Sequence, residues 1–242
     1  MNISIVSQDK RYIELNKILS AKGFNSKICQ IENVGTPNVL ILSVRRELSD
    51  SELKELLSKI PKTTLVLSGY ESKIKEYFDG RVVDYSSGES FLEKNAYLTA
   101  EATVSVLHSL LERSIKSLKI FVCGYGRIGK HLCRIFSSLG AKMYVYARRE
   151  EVRAQIEKDG YISKPLEYSS NCDLVLNTVP SIIYTKKMID KLPTNTCIVE
   201  LASKPGGFED TSRVYSASGL PGKIFPKSSA EIIFDTIEKL FP

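Results

Sequence analysis

The chain has 242 residues, 43% hydrophobic and 26% charged, the balance of an ordinary globular protein with room for one large domain or two modest ones. Its net charge of +6 is spread without a basic arm or stripe, which argues against nucleic acid and suits an anionic small molecule. No apolar run approaches the roughly 20 residues that span a bilayer and no signal-peptide pattern opens the chain, so a cytosolic protein without a membrane partner is expected.

The first part of the chain alternates strands and helices. Ile3–Ser7 reads as a strand, Asp9–Lys22 as a helix stopped by Gly23, and Ser26–Gln30 and Asn38–Ser43 as further strands. Ser49 or Asp50 caps a helix over Ser51–Lys59, which Pro61 follows. Thr63–Ser68 and Arg81–Tyr85 complete an expected five-stranded parallel sheet. The turn after the first strand, Ser7-Gln8-Asp9-Lys10-Arg11, contains no glycine. This half therefore resembles a Rossmann-type wrap without a dinucleotide.

Thr99–Lys116 reads as one long amphipathic helix with Val104, Leu107, Leu110 and Leu111 on its apolar face. It leads into Lys119–Cys123, an apolar strand, and then into Gly124-Tyr125-Gly126-Arg127-Ile128-Gly129 at the start of a helical pattern. Strand, glycine turn and helix start together form a dinucleotide fingerprint. The first glycine permits the turn, the second lets backbone amides approach a pyrophosphate, and the third lets helix pack on strand. The helix N-terminus then holds the anion.

The next strand, Met143–Ala147, ends in Arg148-Arg149, about 20 residues beyond the glycines, where NAD proteins place an acid on the ribose. Two guanidiniums there suit the 2′-phosphate of NADP; alternatively they only open the solvated helix Glu150–Lys158. Strands at Cys172–Asn177, Thr196–Leu201 and Arg213–Ala217 complete a second sheet, and a final helix covers Ser228–Phe241. The expected plan is α/β, with two Rossmann-like doubly wound parallel-sheet domains joined by long crossing helices. Residues 1–98 form a substrate or partner domain, and 99–227 the NADP domain with its linking helix 99–116. Residues 228–242 form a helix packed back on the first domain.

Three loops rich in Gly, Pro and small polar residues follow predicted strands, at the edge of an expected interdomain cleft: Asn177-Thr178-Val179-Pro180, Leu201-Ala202-Ser203-Lys204-Pro205-Gly206-Gly207 and Gly219-Leu220-Pro221-Gly222-Lys223. They are either ordinary βα turns or the rim of a site, and three beside a fingerprint favour the site. The five cysteines form no C-x-x-C pair and read as buried thiols. With only His108 and His131, far apart, no metal site is expected.

These segments, with Asn95-Ala96-Tyr97-Leu98-Thr99-Ala100-Glu101 and Asp9-Lys10-Arg11, resemble the catalytic-subunit family of dipicolinate synthase from endospore-forming bacteria. The resemblance covers nearly the whole chain and is densest from Asn95 to Lys227. The chain departs from the family pattern at Glu200, where the family usually has Asp, and at Val6-Ser7-Gln8, which lacks the family's Gly-Gly.

The resemblance implies NADP-dependent oxidation of a cyclic dihydropyridine- or tetrahydropyridine-type dicarboxylate to dipicolinate. The implied setting is the mother-cell cytosol during sporulation, together with the synthase's smaller, flavoprotein-like subunit; self-association is left open. Gly124 to Gly129, Arg148, Arg149 and Asn177 to Pro180 are the expected cofactor residues. Asn95, Thr99, Ser203, Lys204, Gly206 and Gly207 are expected to bind substrate, with Arg11 and Lys227 as further carboxylate partners. Glu101 and Lys223 are the catalytic candidates, although Glu101 fits equally as an acid favoured in a helix's first turn. The competing readings are a 2-hydroxyacid or shikimate dehydrogenase-like enzyme and a non-catalytic NADP(H) sensor.

Overall fold

The computed structural model describes residues 1–241 and divides into two compact α/β units. The first unit comprises Met1–Asn95 and the segment from Pro221 onward. Its elements begin β1 (Asn2–Val6), α1 (Lys10–Ala21), β2 (Asn25–Ile28) and β3 (Val39–Leu42). There follow α2 (Asp50–Ser58), β4 (Leu65–Ser68), α3 (Glu71–Lys75) and β5 (Val82–Asp84). All strand pairs are parallel, in the order β2-β1-β3-β4-β5. β3 and β4 are buried along their whole length, as strands covered on both faces must be, and this explains their unbroken apolar sequences.

The helix ends follow local chemistry. Asp9 caps α1 by accepting the Arg11 amide at 3.0 Å, and Gly23 leaves that helix with φ +85°. Ser49 and Glu52 form a reciprocal capping box on α2. α1 packs on one sheet face with Ile3, Ile5, Ile233 and Phe234, while Leu53, Leu56 and Leu57 of α2 pack on the other face. The connections leaving β1 and β3 thus diverge to opposite faces, which opens a crevice at their carboxyl ends.

α4 (Glu89–Leu110) carries the chain across the boundary between Asn95 and Ala96. It begins ten residues earlier than the sequence pattern from Thr99 indicates (99 − 89 = 10) and ends before Lys116. Phe91, Ala96 and Leu98 already form its buried stripe, and Ser117 (φ +71°), whose amide bonds Gly140, lies beyond its end. Thr99 therefore lies inside a helix and does not open one.

The second unit, Ala96–Leu220, contains β6 (Lys119–Cys123), α5 (Arg127–Ser138), β7 (Lys142–Tyr146), α6 (Glu150–Lys158) and β8 (Ile162–Ser163). It continues with β9 (Leu174–Asn177), α7 (Lys186–Asp190), β10 (Cys197–Glu200) and β11 (Val214–Ser216). Its parallel sheet runs β11-β10-β9-β6-β7-β8, with its switch point between β6 and β9. The sixth strand, β8, escapes the sequence pattern because only Ile162 and Ser163 join the ladder.

α8 (Leu220–Ile224) and α9 (Pro226–Ile237) end the chain, followed by a 3-10 turn over Glu238–Leu240. From Pro221 these belong to the first unit, so residues 221–227 group with it and not with the nucleotide domain. Ala230, Ile233 and Phe234 of α9 share a core with Tyr12, Leu15 and Leu19 of α1.

Candidate functional site

Each of the three fingerprint glycines has a different surrounding. Gly124 has φ +94°, and a Cβ there would stand 2.6 Å from Thr178 Oγ1. Gly129 is buried in α5, and a Cβ would lie 2.1 Å from the Gly124 carbonyl oxygen. Gly126 is the N-cap of α5, yet a Cβ there would meet nothing within 4 Å. No side chain caps this helix end, so its first amides face the space over Gly126. That space and those donors fit a pyrophosphate.

The remaining loop residues take separate roles. Tyr125 packs inward and its hydroxyl donates to Asp159 Oδ2 at 2.6 Å. Burial, and then the hydrogen bond to Asp159, push its ionisation up, so it anchors the loop as a neutral phenol. Arg127 and Ile128 form the first turn of α5; Arg127 is exposed and Ile128 half-buried. Below them, burial pushes the Cys123 thiol up to about 12, which makes it an inert core group.

A cleft of about 280 Å³ opens beside this turn, lined among others by Gly124, Gly126, Arg148, Arg149, Val179 and Ser181. Arg149 caps α6 by position and reaches only a distant, exposed contact of 3.5 Å with Glu151. Arg153, which lies outside every sequence motif, donates to the Arg148 carbonyl at 2.7 Å and fixes the loop. The two guanidiniums expected at the strand end therefore border the same cleft as the glycine turn.

At the switch point, Asn177 ends β9 fully buried. Its Nδ2 donates to Val179 O at 2.9 Å and to Glu200 Oε1 at 2.8 Å, and its Oδ1 accepts the Val179 amide at 3.1 Å. Thr178 Oγ1 donates to Cys123 O at 2.8 Å, which ties this loop to the fingerprint strand. Glu200, at the end of β10, also accepts the Ala202 amide at 2.9 Å and the Gly207 amide at 2.6 Å. A Cβ on Gly206 would stand 2.7 Å from Glu200 Oε2, and one on Gly207 2.3 Å from Asn177 Nδ2. Glu200 thus organises two of the three loops. Its position just ahead of Leu-Ala-Ser is the one sequence signal that marks it. Ser203, Lys204 and Pro205 are exposed at the crest of the second loop, whose Lys204–Pro205 peptide is cis, while Pro180 is exposed on the first.

Other expected site residues lie elsewhere. Asn95 and Thr99 sit on α4, and Thr99 is buried with its carbonyl taken by the Thr103 hydroxyl at 2.8 Å. Amides at mid-helix bond within the helix, so Thr99 offers no helix-start anion site. Glu101 is the thirteenth residue of α4 (101 − 89 + 1 = 13), so the first-turn dipole explanation for it also fails. Lys223 is exposed on α8, in the first unit. There Arg11 is buried, its Nε and Nη2 on Asp9 at 3.0 and 2.6 Å. Among the described residues no His, Cys, Asp or Glu group could hold a metal, and no helix is long and apolar enough to cross a membrane.

Residues 90–196 match the family model described as D-isomer specific 2-hydroxyacid dehydrogenase, NAD binding domain. A dipicolinate synthase subunit of Bacillus subtilis (strain 168) is 27% identical over 76% of this chain and 67% of that protein. The chain resembles that subunit of dipicolinate synthase. In fold it matches the crystal structure of the corresponding dipicolinate synthase subunit from Bacillus halodurans with TM-score 0.85, at 21% identity, over 99% of this chain and 97% of that one. The crystal structure of the B. subtilis dipicolinate synthase chain gives 0.80 at 22% identity, over 99% and 95%. Together the matches support an oxidoreductase with a nicotinamide-dinucleotide domain, and likeness to one subunit of a synthase implies a partner subunit.

Proposed function

We propose that this chain is the NADP-dependent catalytic subunit of a dipicolinate synthase. It oxidises dihydrodipicolinate, or its hydrated precursor, in the mother-cell cytosol of a sporulating bacterium, with the smaller, flavoprotein-like subunit of the synthase as partner. The observation that carries the reading is the joining of three resemblance-bearing segments at the second sheet's switch point. Gly124–Gly129, Asn177–Pro180 and Leu201–Gly207 are linked through Thr178, Asn177 and Glu200.

A bound nicotinamide dinucleotide supplies the hydride acceptor for an aromatising oxidation. The α5 amides and Gly126 hold its pyrophosphate, and Arg148 and Arg149 its 2′-phosphate. Ser203, Lys204 and the 206–207 backbone offer carboxylate partners, on a loop that Glu200 holds rigid. Lys223 and Glu101 are the residues proposed to orient substrate or move a proton. Aromatisation itself drives the reaction, so positioning is the main demand on the protein.

The family match keeps a 2-hydroxyacid dehydrogenase as the second reading. Such enzymes rely on a histidine late in the nucleotide domain. Here His131 is buried in α5, 2.6 Å from Arg134 Nη2 and edge-on to Tyr97, and no histidine follows it in the sequence. The test is to supply enzymatically generated dihydrodipicolinate with NADP⁺ or NAD⁺, with and without the candidate flavoprotein-like partner, and follow dipicolinate in the ultraviolet. Formation favoured by NADP⁺ is expected. Cofactor binding without turnover, even with the partner, would make the chain a sensor, and turnover of a 2-hydroxy acid would establish the second reading.

A further inference from the structure

We infer that the first unit has an anion site of its own, in which Arg45 grips a carboxylate of a planar dicarboxylate at the crevice between β1 and β3. The inference rests on the dicarboxylate substrate proposed above and adds a residue that the sequence motifs do not mark. Arg11 follows β1 and Arg45 follows β3, the two strands whose connections diverge, and ligands of open α/β sheets bind at that divergence.

The loop that carries Arg45 is held firmly. The Val44 amide donates to the Tyr12 hydroxyl at 2.7 Å, and that hydroxyl pairs with Tyr85 at 2.5 Å beneath. The Ser43 hydroxyl bonds the Arg45 carbonyl, and a Cβ on Gly69 would stand 2.2 Å from Val44 O. From the other side α8 closes on Arg11, because a Cβ on Gly222 would lie 2.6 Å from Arg11 Nε, and exposed Lys223 is the next residue.

Charge and donors then single out Arg45. Arg11 has its fork filled by Asp9, so it contributes field and support but has little left for a ligand. Ser7 Oγ and the Gln8 amide are taken by the Glu47 carboxylate at 2.8 and 2.9 Å. Arg45 is exposed, and its guanidinium makes no hydrogen bond or ion pair among the described residues. Asp9 is the one carboxylate acting on both guanidiniums, which leaves the trio at net +1. Partial burial, followed by repulsion from Arg11, disfavours the charged form of Arg45. A guanidinium does not shed its proton at neutral pH, so an incoming carboxylate is what relieves the cluster, and a planar fork suits it bidentately.

Calorimetric titration of the full chain with pyridine-2,6-dicarboxylate, alongside NADP⁺, tests the site. Arg45→Met should weaken dicarboxylate binding at least tenfold and leave NADP⁺ affinity unchanged. Arg45→Lys should fall between, keeping the charge but losing the fork. Dicarboxylate affinity within twofold of wild type in a folded Arg45→Met protein overturns the site while leaving the proposed reaction intact. A wild-type chain that binds no dicarboxylate overturns both. Arg45-dependent binding without turnover supports the site and removes only the reaction.

Discussion

Gly126 and Gly129 belong to one turn, yet substitution should affect them in opposite ways. At Gly126 the backbone is extended, φ −82° and ψ −163°, and a Cβ meets nothing within 4 Å, so Gly126→Val fits the fold. Its folding cost is the poorer N-cap, on the order of 1 kcal/mol, or a fall in Tm of about 2–4 °C. The valine branches, however, occupy the space over the α5 amides. Each lost charged hydrogen bond to a pyrophosphate is worth about 1.5–3 kcal/mol, so NADP⁺ affinity should drop by roughly one to two decades or more. Gly129→Ala is the converse, because its Cβ would lie 2.1 Å from a backbone carbonyl that cannot turn aside. Overpacking of that kind costs about 1–3 kcal/mol and should appear first as lost Tm. Calorimetric titration and thermal unfolding of both variants decide the matter. Wild-type NADP⁺ affinity in a folded Gly126→Val protein would refute the assignment of the pyrophosphate to this turn.

Four further outcomes are expected. Arg148→Ser/Arg149→Ser should weaken NADP⁺ by about one to two decades and NAD⁺ far less; parallel losses would mean the pair supplies only general positive charge. Glu200→Gln sets an amide NH₂ against the Asn177, Ala202 or Gly207 donors and should cost about 1–3 kcal/mol by denaturant unfolding, and an unchanged midpoint would show the loops are not tied through this carboxylate. Burial alone would raise Asp9, but hydrogen bonds from Arg11 outweigh it and hold the carboxyl below its ordinary 3.8. Its stabilisation is then present above that value and lost as pH falls through the depressed folded one, so Asp9→Asn should flatten the acid limb of a stability curve, and an unaltered limb would refute the coupling. Lys223→Ala should lower kcat/KM for the dicarboxylate more than tenfold while sparing NADP⁺ affinity, and unchanged steady-state kinetics would remove Lys223 from the reaction.

What the sequence reveals and what it hides have separate physical causes. Buried parallel strands announce themselves as apolar runs, so β3, β4, β6 and β9 are legible, whereas the two-residue β8 exists only through its pairing with β7. The fingerprint is legible because its glycines answer local demands, a positive φ at Gly124 and a close approach at Gly129. The start of α4 is not, since Phe91 and Ala96 become a helical stripe only once a core receives them. Glu200 hides for a related reason. A carboxylate at a strand end reads as solvated, and its work appears only when the fold brings Asn177, Ala202 and Gly207 to it.

The same reasoning explains why the two sheets, each with a switch point at strand ends, differ in chemistry. In the second unit the turn after β6 is Gly124-Tyr125-Gly126, and it presents free helix-start amides beneath open space. In the first unit the turn after β1 is Ser7-Gln8-Asp9, and the chain supplies its own anions. Glu47 takes the Ser7 hydroxyl and the Gln8 amide, while Asp9 takes the first-turn Arg11 amide. Donors that a phosphate would use are thereby satisfied internally, and a dinucleotide would have to displace two carboxylates to reach them. The basic groups that remain, Arg45 above all, stand farther out on the rim. That arrangement turns one Rossmann-like unit toward a pyrophosphate and leaves the other suited to a smaller carboxylate ligand.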